Sequence, residues 1–215
     1  MEIIWFGHAC CALKNGAATL VTDPYDDSLG LNLPELEADI VTVSHDHPRH
    51  NAVYAVQGPH KVVNRPGEYE IKGVFISGHI ISPPETDRSP DADAQNVVFV
   101  CEIDDITDCH LGDIRYVPTQ SQVEALDSID VLLIPVGGGR SLNAAQASEL
   151  ISIIDPSIVV PIHYHLPGIN ISLDPLDKFL KEIGHSQLET RPRLRLRRST
   201  LPSERQLVVL EPRIN

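Results

Sequence analysis

Ala38-Asp39-Ile40-Val41-Thr42-Val43-Ser44-His45-Asp46-His47-Pro48-Arg49-His50-Asn51 carries an apolar strand straight into three histidines within six residues. Residues 40–44 are almost continuously Ile, Val and Thr, the texture of a strand buried on both faces in a layered α/β protein. Such a strand is a rigid base. Ending it in His-x-His-x-x-His aims several imidazoles at one region of space. Transition metals select that arrangement, because they take neutral nitrogen donors held at fixed positions. Three of the chain's ten histidines lie in this one turn, so the cluster is not the scatter of a common residue.

The rest of the chain bounds the setting. Its 215 residues predict a single domain spanning 1–215. Hydrophobic content is 42% and aromatic content only 5%, so the core is expected to be built from Ile, Leu, Val and Ala. A formal net charge of −13 disfavours nonspecific nucleic-acid binding and anionic membrane surfaces. A small-molecule substrate is the expected partner. Met1-Glu2-Ile3-Ile4-Trp5 starts at once as a strand, without the charged and apolar segments of a secretory leader. No apolar run approaches the length of a membrane span. Cys10, Cys11, Cys101 and Cys109 form no Cys-x-x-Cys pair and sit in apolar runs, where a free thiol acts as a small hydrophobe. These features predict a reduced, cytoplasmic protein.

Short apolar runs at 3–6, 9–13 and 18–22, punctuated by Gly7 and Asn15-Gly16, predict strands with a hairpin between the last two. Further strands are expected at 61–63, 68–71, 74–77, 97–103, 106–110, 131–136, 158–162 and 207–210. A polar loop covers 24–37, and an acidic one without apolar period covers 82–96. A short helix is expected over 51–57 and another around Val123 and Leu126. Ala147, Leu150, Ile151 and Ile154 lie at i, i+3, i+4 and i+7, an amphipathic helix. Asp174-Pro175 reads as a helix cap followed by proline at the first helical position, and Gly184 ends that helix. The pattern predicts an α/β protein: two mixed β-sheets packed together, with helices on the outer faces.

Further metal-ligand types recur where strands run into loops, at His79, Asp113 and His163. Such strand-end loops are where layered folds build sites. Asp23, before Pro24, is placed either to orient an imidazole from behind or simply to close a turn. The order His-x-His-x-x-His, then Gly-Asp, then Pro-x-His is harder to assign to structure alone than any one of its members.

With those residues in view, the chain resembles the metallo-β-lactamase superfamily of metal-dependent hydrolases, and within it the L-ascorbate-6-phosphate lactonase-like branch. The resemblance runs through Trp5-Phe6-Gly7-His8-Ala9, Thr22-Asp23-Pro24, Ser44-His45-Asp46-His47, Pro66-Gly67-Glu68-Tyr69-Glu70, His110-Leu111-Gly112-Asp113, Pro135-Val136-Gly137-Gly138 and Pro161-Ile162-His163-Tyr164. It implies an αββα sandwich with a metal site at one edge of the two sheets. It implies that His45 and His47 bind a first ion and His50 a second, that Asp113 bridges them, and that His163 completes the second site. Asp113 and His163 would then be catalytic. The implied cofactor is zinc, one ion or two, with manganese or iron as other choices. The implied reaction is hydrolysis by a metal-bound hydroxide, on an ester, a lactone or a phosphodiester.

Two positions depart from that pattern. The superfamily motif is His-x-His-x-Asp-His, and here its fifth position is Arg49. A guanidinium has no lone pair to offer and stays charged, so it cannot ligate; it suits an anionic substrate instead. The mid-chain histidine of the family falls in register near Pro83-Pro84, and His79 is the candidate to replace it. Two readings follow: a hydrolase with Arg49 holding an anionic substrate, or a member that has kept the fold and only binds. A third feature is Arg191-Pro192-Arg193-Leu194-Arg195-Leu196-Arg197-Arg198, which reads as a charge-protected edge strand. Its alternatives are a polyanion site, which gives a third and weaker reading as a nucleic-acid-directed nuclease or binder, or a contact with an acidic neighbour in a homo-oligomer.

Overall fold

The computed structural model describes residues 1–81, 95–185 and 189–214. Short strands open the chain: β1 (Glu2–Trp5), β2 (Cys11–Lys14), β3 (Thr19–Thr22), β4 (Leu36–Glu37), β5 (Ile40–Thr42), β6 (Val56–Gln57) and β7 (Lys61–Val63). An antiparallel run follows in β8 (Gly67–Ile71), β9 (Val74–Ile80), β10 (Val97–Ile103) and β11 (Ile106–His110). Helices then enter as α1 (Gln120–Glu124), β12 (Val131–Pro135), α2 (Ala144–Ile154), β13 (Ile158–Ile162) and α3 (Leu176–Glu182). The chain closes with β14 (Thr190–Arg191), β15 (Leu194–Arg195), β16 (Gln206–Leu207) and β17 (Val209–Leu210).

Among the described residues, one sheet has the order β15-β1-β2-β3-β5-β7 and the other β16-β13-β12-β11-β10-β9-β8. Both are mixed. In the first, β3, β5 and β7 are parallel; in the second, β11, β12 and β13 are. Every residue of β5, β12 and β13 is buried, as expected of strands covered on both faces. One hydrophobic cluster joins Trp5 and Leu20 of the first sheet to Phe99 and Leu133 of the second and to Leu150 and Phe179 of the helices. The parallel strands bring their carboxyl ends to one edge, which is where ligands are received in open α/β sheets. No helix among the described residues is long and apolar enough to cross a membrane.

Local chemistry explains the turns. Asn15 closes the β2–β3 hairpin by accepting from the backbone N–H groups of Ala17 and Ala18, at 2.9 and 2.7 Å. Asn143 and Gln146 cap the start of α2 reciprocally. Asp39 ties the sheets at the far end. Its carboxylate accepts from Thr19 N at 2.8 Å and from Lys72 Nζ, in the β8–β9 turn, at 2.6 Å.

Several sequence expectations need correction. Residues 51–57 form a single 3-10 turn, Val53–Ala55, followed by β6, because Val56 and Gln57 pair with β4 and draw the chain out. Asp174 does not cap α3. Its backbone is held extended by bonds to Gly137 and His165, its carboxylate takes Lys178, and the cap position falls to Pro175. The run 207–210 divides between two sheets, β16 against β13 and β17 against β14. The basic segment is likewise two short strands. β15 is the edge of the first sheet, and Arg193 and Arg195 both reach Glu2 of β1, Arg195 at 2.7 Å. Residues 82–94 of the expected acidic loop lie outside the described residues.

The sheets meet at the site edge. Val97 N donates to Ser44 O at 2.8 Å, joining the start of β10 to the segment after β5. Gly112 sits in that seam with φ of +61°, and a Cβ there would stand 2.5 Å from Ser44 Cβ and 2.6 Å from Asn96 Oδ1. Gly112→Ala is expected to destabilise the protein by about 2–5 kcal/mol, combining roughly 1–2 for left-handed backbone with 1–3 for overpacking. Urea denaturation measures this. A loss below about 1 kcal/mol, the scale of an ordinary substitution, would show that the seam relaxes freely.

Candidate metal centre

Five strand ends supply the site. β1 turns through Phe6, Gly7 and His8; β3 ends in Asp23; β5 runs on to His45, His47 and His50; β11 to Asp113; and β13 to His163. His8, Asp23 and His163 have φ of +50, +37 and +53°. Non-glycine residues in left-handed backbone cost on the order of 1–3 kcal/mol each and persist where the surroundings over-determine them. Here the determinants are visible. Trp5 Nε1 and His163 N both donate to His8 O, each at 2.9 Å. Asp23 N donates to Thr42 O at 2.9 Å.

Asp23 is fully buried and organises its neighbours. Its carboxylate accepts from Ser44 N at 2.7 Å, Ser44 Oγ at 2.5 Å and His50 Nδ1 at 2.9 Å. Burial alone would push its pKa up. The His50 bond and the nearby imidazoles His110 and His45 outweigh burial and hold it at about 2. The ionised carboxylate fixes tautomers in turn. His50 Nδ1 must carry a proton, which leaves Nε2 a bare lone pair. Ser44 Oγ gives its hydrogen to Asp23, so it accepts from His45 Nδ1 at 3.0 Å, and His45 Nε2 is bare too. Ser141 Oγ donates to Gly138 O at 2.9 Å and therefore accepts from His163 Nδ1 at 3.2 Å. His163 Nε2 is the third bare nitrogen. His47 is the opposite case: its Nδ1 accepts from Arg49 N at 3.2 Å, so in the neutral ring Nε2 bears the hydrogen.

The ligand atoms of His8, His50 and His163 lie within 4.8 Å of one another, as do those of His45, His50 and Asp113. His8 Nε2 is 3.1 Å from His50 Nε2, and His163 Nε2 is 3.7 Å from Asp113 Oδ1. Asp113 Oδ1 is buried and has no hydrogen-bond donor among the described residues. His8 Nε2–H is placed to donate to the His50 Nε2 lone pair; a divalent ion would replace that proton and would also serve the bare His163 Nε2 and, in the second group, Asp113 Oδ1. Burial also depresses the imidazole pKa values, to about 4 for His45 and His163 and well below the ordinary value for His8. The rings are then neutral near pH 7, the form that ligates. This donor set fits a divalent transition ion.

The structure brings His45, His47, His50, Asp113 and His163 to one cavity of about 350 Å³, with Arg49 on its wall and Asp23 directly behind His50. His79 does not join them. Alternation along β9 buries Val74, Ile76 and Gly78 and turns Phe75, Ser77 and His79 to the other face. There the His79 ring bonds Ser77 Oγ at 3.0 Å, and its charged neighbours are Asp127 and Glu68. Sequence reasoning passed over His8, although the signal was the same, a histidine at a strand end after a glycine. It also passed over Arg115 and Arg140, which line the cavity. Asn96 was missed as well: it accepts from Asp113 N at 3.0 Å and donates to Leu111 O at 2.9 Å, setting the Asp113 backbone.

Residues 2–163 match the family described as the β-lactamase superfamily domain. A solved structure from Thermotoga maritima, described as a candidate zinc-dependent hydrolase of the metallo-β-lactamase superfamily, shares 38% identity with a TM-score of 0.79 over 97% of both chains. Among curated relatives, a UPF0173 metal-dependent hydrolase from Methanosphaerula palustris is 26% identical over 89% of this chain and 97% of its own. One from Thermoplasma acidophilum is 25% identical over 77% and 84%.

Asp23→Asn keeps the shape and removes the charge. An amide cannot accept from all three donors, and its NH2 must face one of them. We expect zinc affinity to fall by about 10–100-fold, the usual worth of a group that orients a ligating histidine. Chelator competition measures it. Unchanged affinity would show that the tautomers are set elsewhere.

Proposed function

The chain belongs to the β-lactamase superfamily, and on that premise we propose that it is a metal-dependent hydrolase of small anionic esters, with lactones and phosphodiesters in the same class. The observation that carries the anionic preference is the cavity wall. Arg49, Arg115 and Arg140 line the same cavity as the histidines and Asp113, in a chain whose net charge is −13. A cationic patch against that background concentrates anions. Arg49 Nε is buried without a hydrogen-bond partner among the described residues. A phosphate or carboxylate oxygen supplies the acceptor it lacks, and guanidinium takes such groups bidentately.

His8, His45, His50, His163 and Asp113 are the residues available to hold the ion. A divalent ion bound there supplies a Lewis acid and lowers the pKa of water towards neutrality. The protein's own part is positional. Asp23, Ser44 and Ser141 keep the imidazoles in one tautomer and orientation. With the imidazoles holding the ion, Asp113, whose Oδ1 is unpaired at the cavity, is the acceptor for the proton of the attacking water. The arginines hold the anionic end of the substrate so that the scissile carbon or phosphorus faces Asp113. A phosphorylated lactone would satisfy both demands, an acyl carbon to attack and an anion to hold, and it is the substrate type that the lactonase-like resemblance suggests. Zinc suits the imidazole-rich donor set best. A cytoplasmic setting belongs to the same proposal and is supported by four buried free cysteines.

Arg49 also favours a second reading, a member that binds an anion and does not turn it over. Zinc-, manganese- and iron-loaded protein assayed on matched anionic and neutral p-nitrophenyl esters, lactones and bis-p-nitrophenyl phosphate separates the two. We expect turnover of the anionic members. Arg49→Ala should raise their KM by roughly 10–150-fold, the equivalent of a charged hydrogen bond of about 1.5–3 kcal/mol, with kcat less affected. Absence of turnover by metal-replete protein on every substrate would favour the binding reading. An unchanged KM would remove Arg49 from substrate recognition.

A further inference from the structure

We infer that this protein holds one metal ion, in a three-imidazole site made by His8, His50 and His163, and that the His45–His47 pair does not hold a second. The inference rests on the proposal that the centre binds metal at all, and it goes beyond it by assigning His8 as a ligand and fixing the stoichiometry.

His50 Nδ1 is committed to Asp23, so only Nε2 is free, and a neutral imidazole nitrogen has one lone pair directed in the ring plane. Both possible ligand groups, His8–His50–His163 and His45–His50–Asp113, use that same nitrogen. They are therefore alternatives for one ion. The first is buried at all three positions, while His45 of the second is partly exposed. Its ligand atoms all lie within 4.8 Å of one another, and one pair already stands near ligand spacing, His8 Nε2 at 3.1 Å from His50 Nε2. Two donors at about 2.0–2.1 Å from a tetrahedral zinc lie roughly 3.3–3.4 Å apart, so little movement is needed. The His8 side chain has no other polar contact among the described residues: the residue is 1% exposed, Nδ1 has no partner, and Nε2 meets only the His50 nitrogen. A buried imidazole whose one polar contact is the bare nitrogen of His50, with His163 in the same group, is placed to act as a ligand.

The neighbouring position lacks what a second ion requires. His47 spends Nδ1 on the Arg49 backbone and presents Nε2–H. Arg49 and Arg140 line the same cavity as His47, and their positive charge opposes an ion there, while the Asp113 carboxylate favours one. Arg49 itself offers no lone pair. His8 thus takes the place of a donor that residue 49 cannot be, from a different strand.

The test is made on full-length protein loaded with zinc and desalted. Elemental analysis is expected to find one ion per chain. His8→Ala should lower zinc affinity by roughly 100-fold or more, since the groups that merely orient ligands are worth ~10–100-fold. His47→Ala should keep one ion with affinity within about threefold. Near-UV circular dichroism of Trp5, whose indole bonds the His8 carbonyl, reports whether the variants keep the local fold. X-ray absorption on the wild-type zinc protein is independent of any variant and should count three imidazoles. Two ions per chain, two imidazoles, a His8→Ala protein that binds zinc normally, or a His47→Ala protein that loses it would each overturn the inference. A one-ion, three-imidazole centre without esterase activity would leave it standing and remove the hydrolase reading alone.

Discussion

The structure of the site depends on one buried negative charge. Asp23 has no exposure, and an isolated carboxylate in that position would take up a proton instead of staying ionised. It stays charged because three donors reach it from a single short segment of chain, Ser44 to His50. Satisfying Asp23 therefore fixes more than Asp23. It holds the end of β3 against the end of β5, sets the His50 ring, and through the Ser44 hydroxyl sets His45 as well. The motif histidines are not aimed by their own turn alone. They are aimed by a carboxylate about twenty residues earlier in the sequence.

A second constraint is the backbone at His8 and His163. Both are in left-handed conformation and joined through one carbonyl, so strain at one position is held by the other. That coupling brings the first strand of the chain to the last major strand of the second sheet. It also explains how a single substitution in the histidine motif can be tolerated. With Arg49 in a ligand position, donor capacity is lost from one turn, yet an imidazole from a different strand already stands at the centre. On the proposed reading, the guanidinium serves the other half of the chemistry, the anionic end of a substrate.

Much of this was legible in the sequence, and the reasons are local. Strands buried on both faces announce themselves as unbroken Ile and Val runs, so β5, β12 and β13 could be read directly, and with them the histidine motif after β5 and His163 after β13, while Asp113 was read from the end of β11. What could not be read depends on direction. The alternation of β9 decides that His79 faces away, and a sequence offset of a single residue would have reversed it. The 51–57 segment has helix-compatible residues, but the pairing of Val56 with Leu36, a tertiary contact, extends it. His8 escaped because its approach to the site relies on a left-handed turn and a bond to a residue 155 positions later, neither of which leaves a pattern in the neighbouring residues.

A second buried acid shows how selective the centre is. Asp108, in β11, is as inaccessible as Asp23. Neither of its carboxylate oxygens has a hydrogen-bond partner among the described residues, and it lies with Cys101 opposite on β10 and Cys109 beside it. Burial there goes unopposed and drives its pKa well above the ordinary carboxylate value, so it is held neutral. The same residue type at the same depth is thus ionised in one place and neutral in the other, and the difference is the three donors that β5 and its turn deliver to Asp23. Burial sets only the penalty for charge. The hydrogen bonds decide where charge exists, and in this protein they place it behind the imidazoles whose lone pairs a metal ion would need.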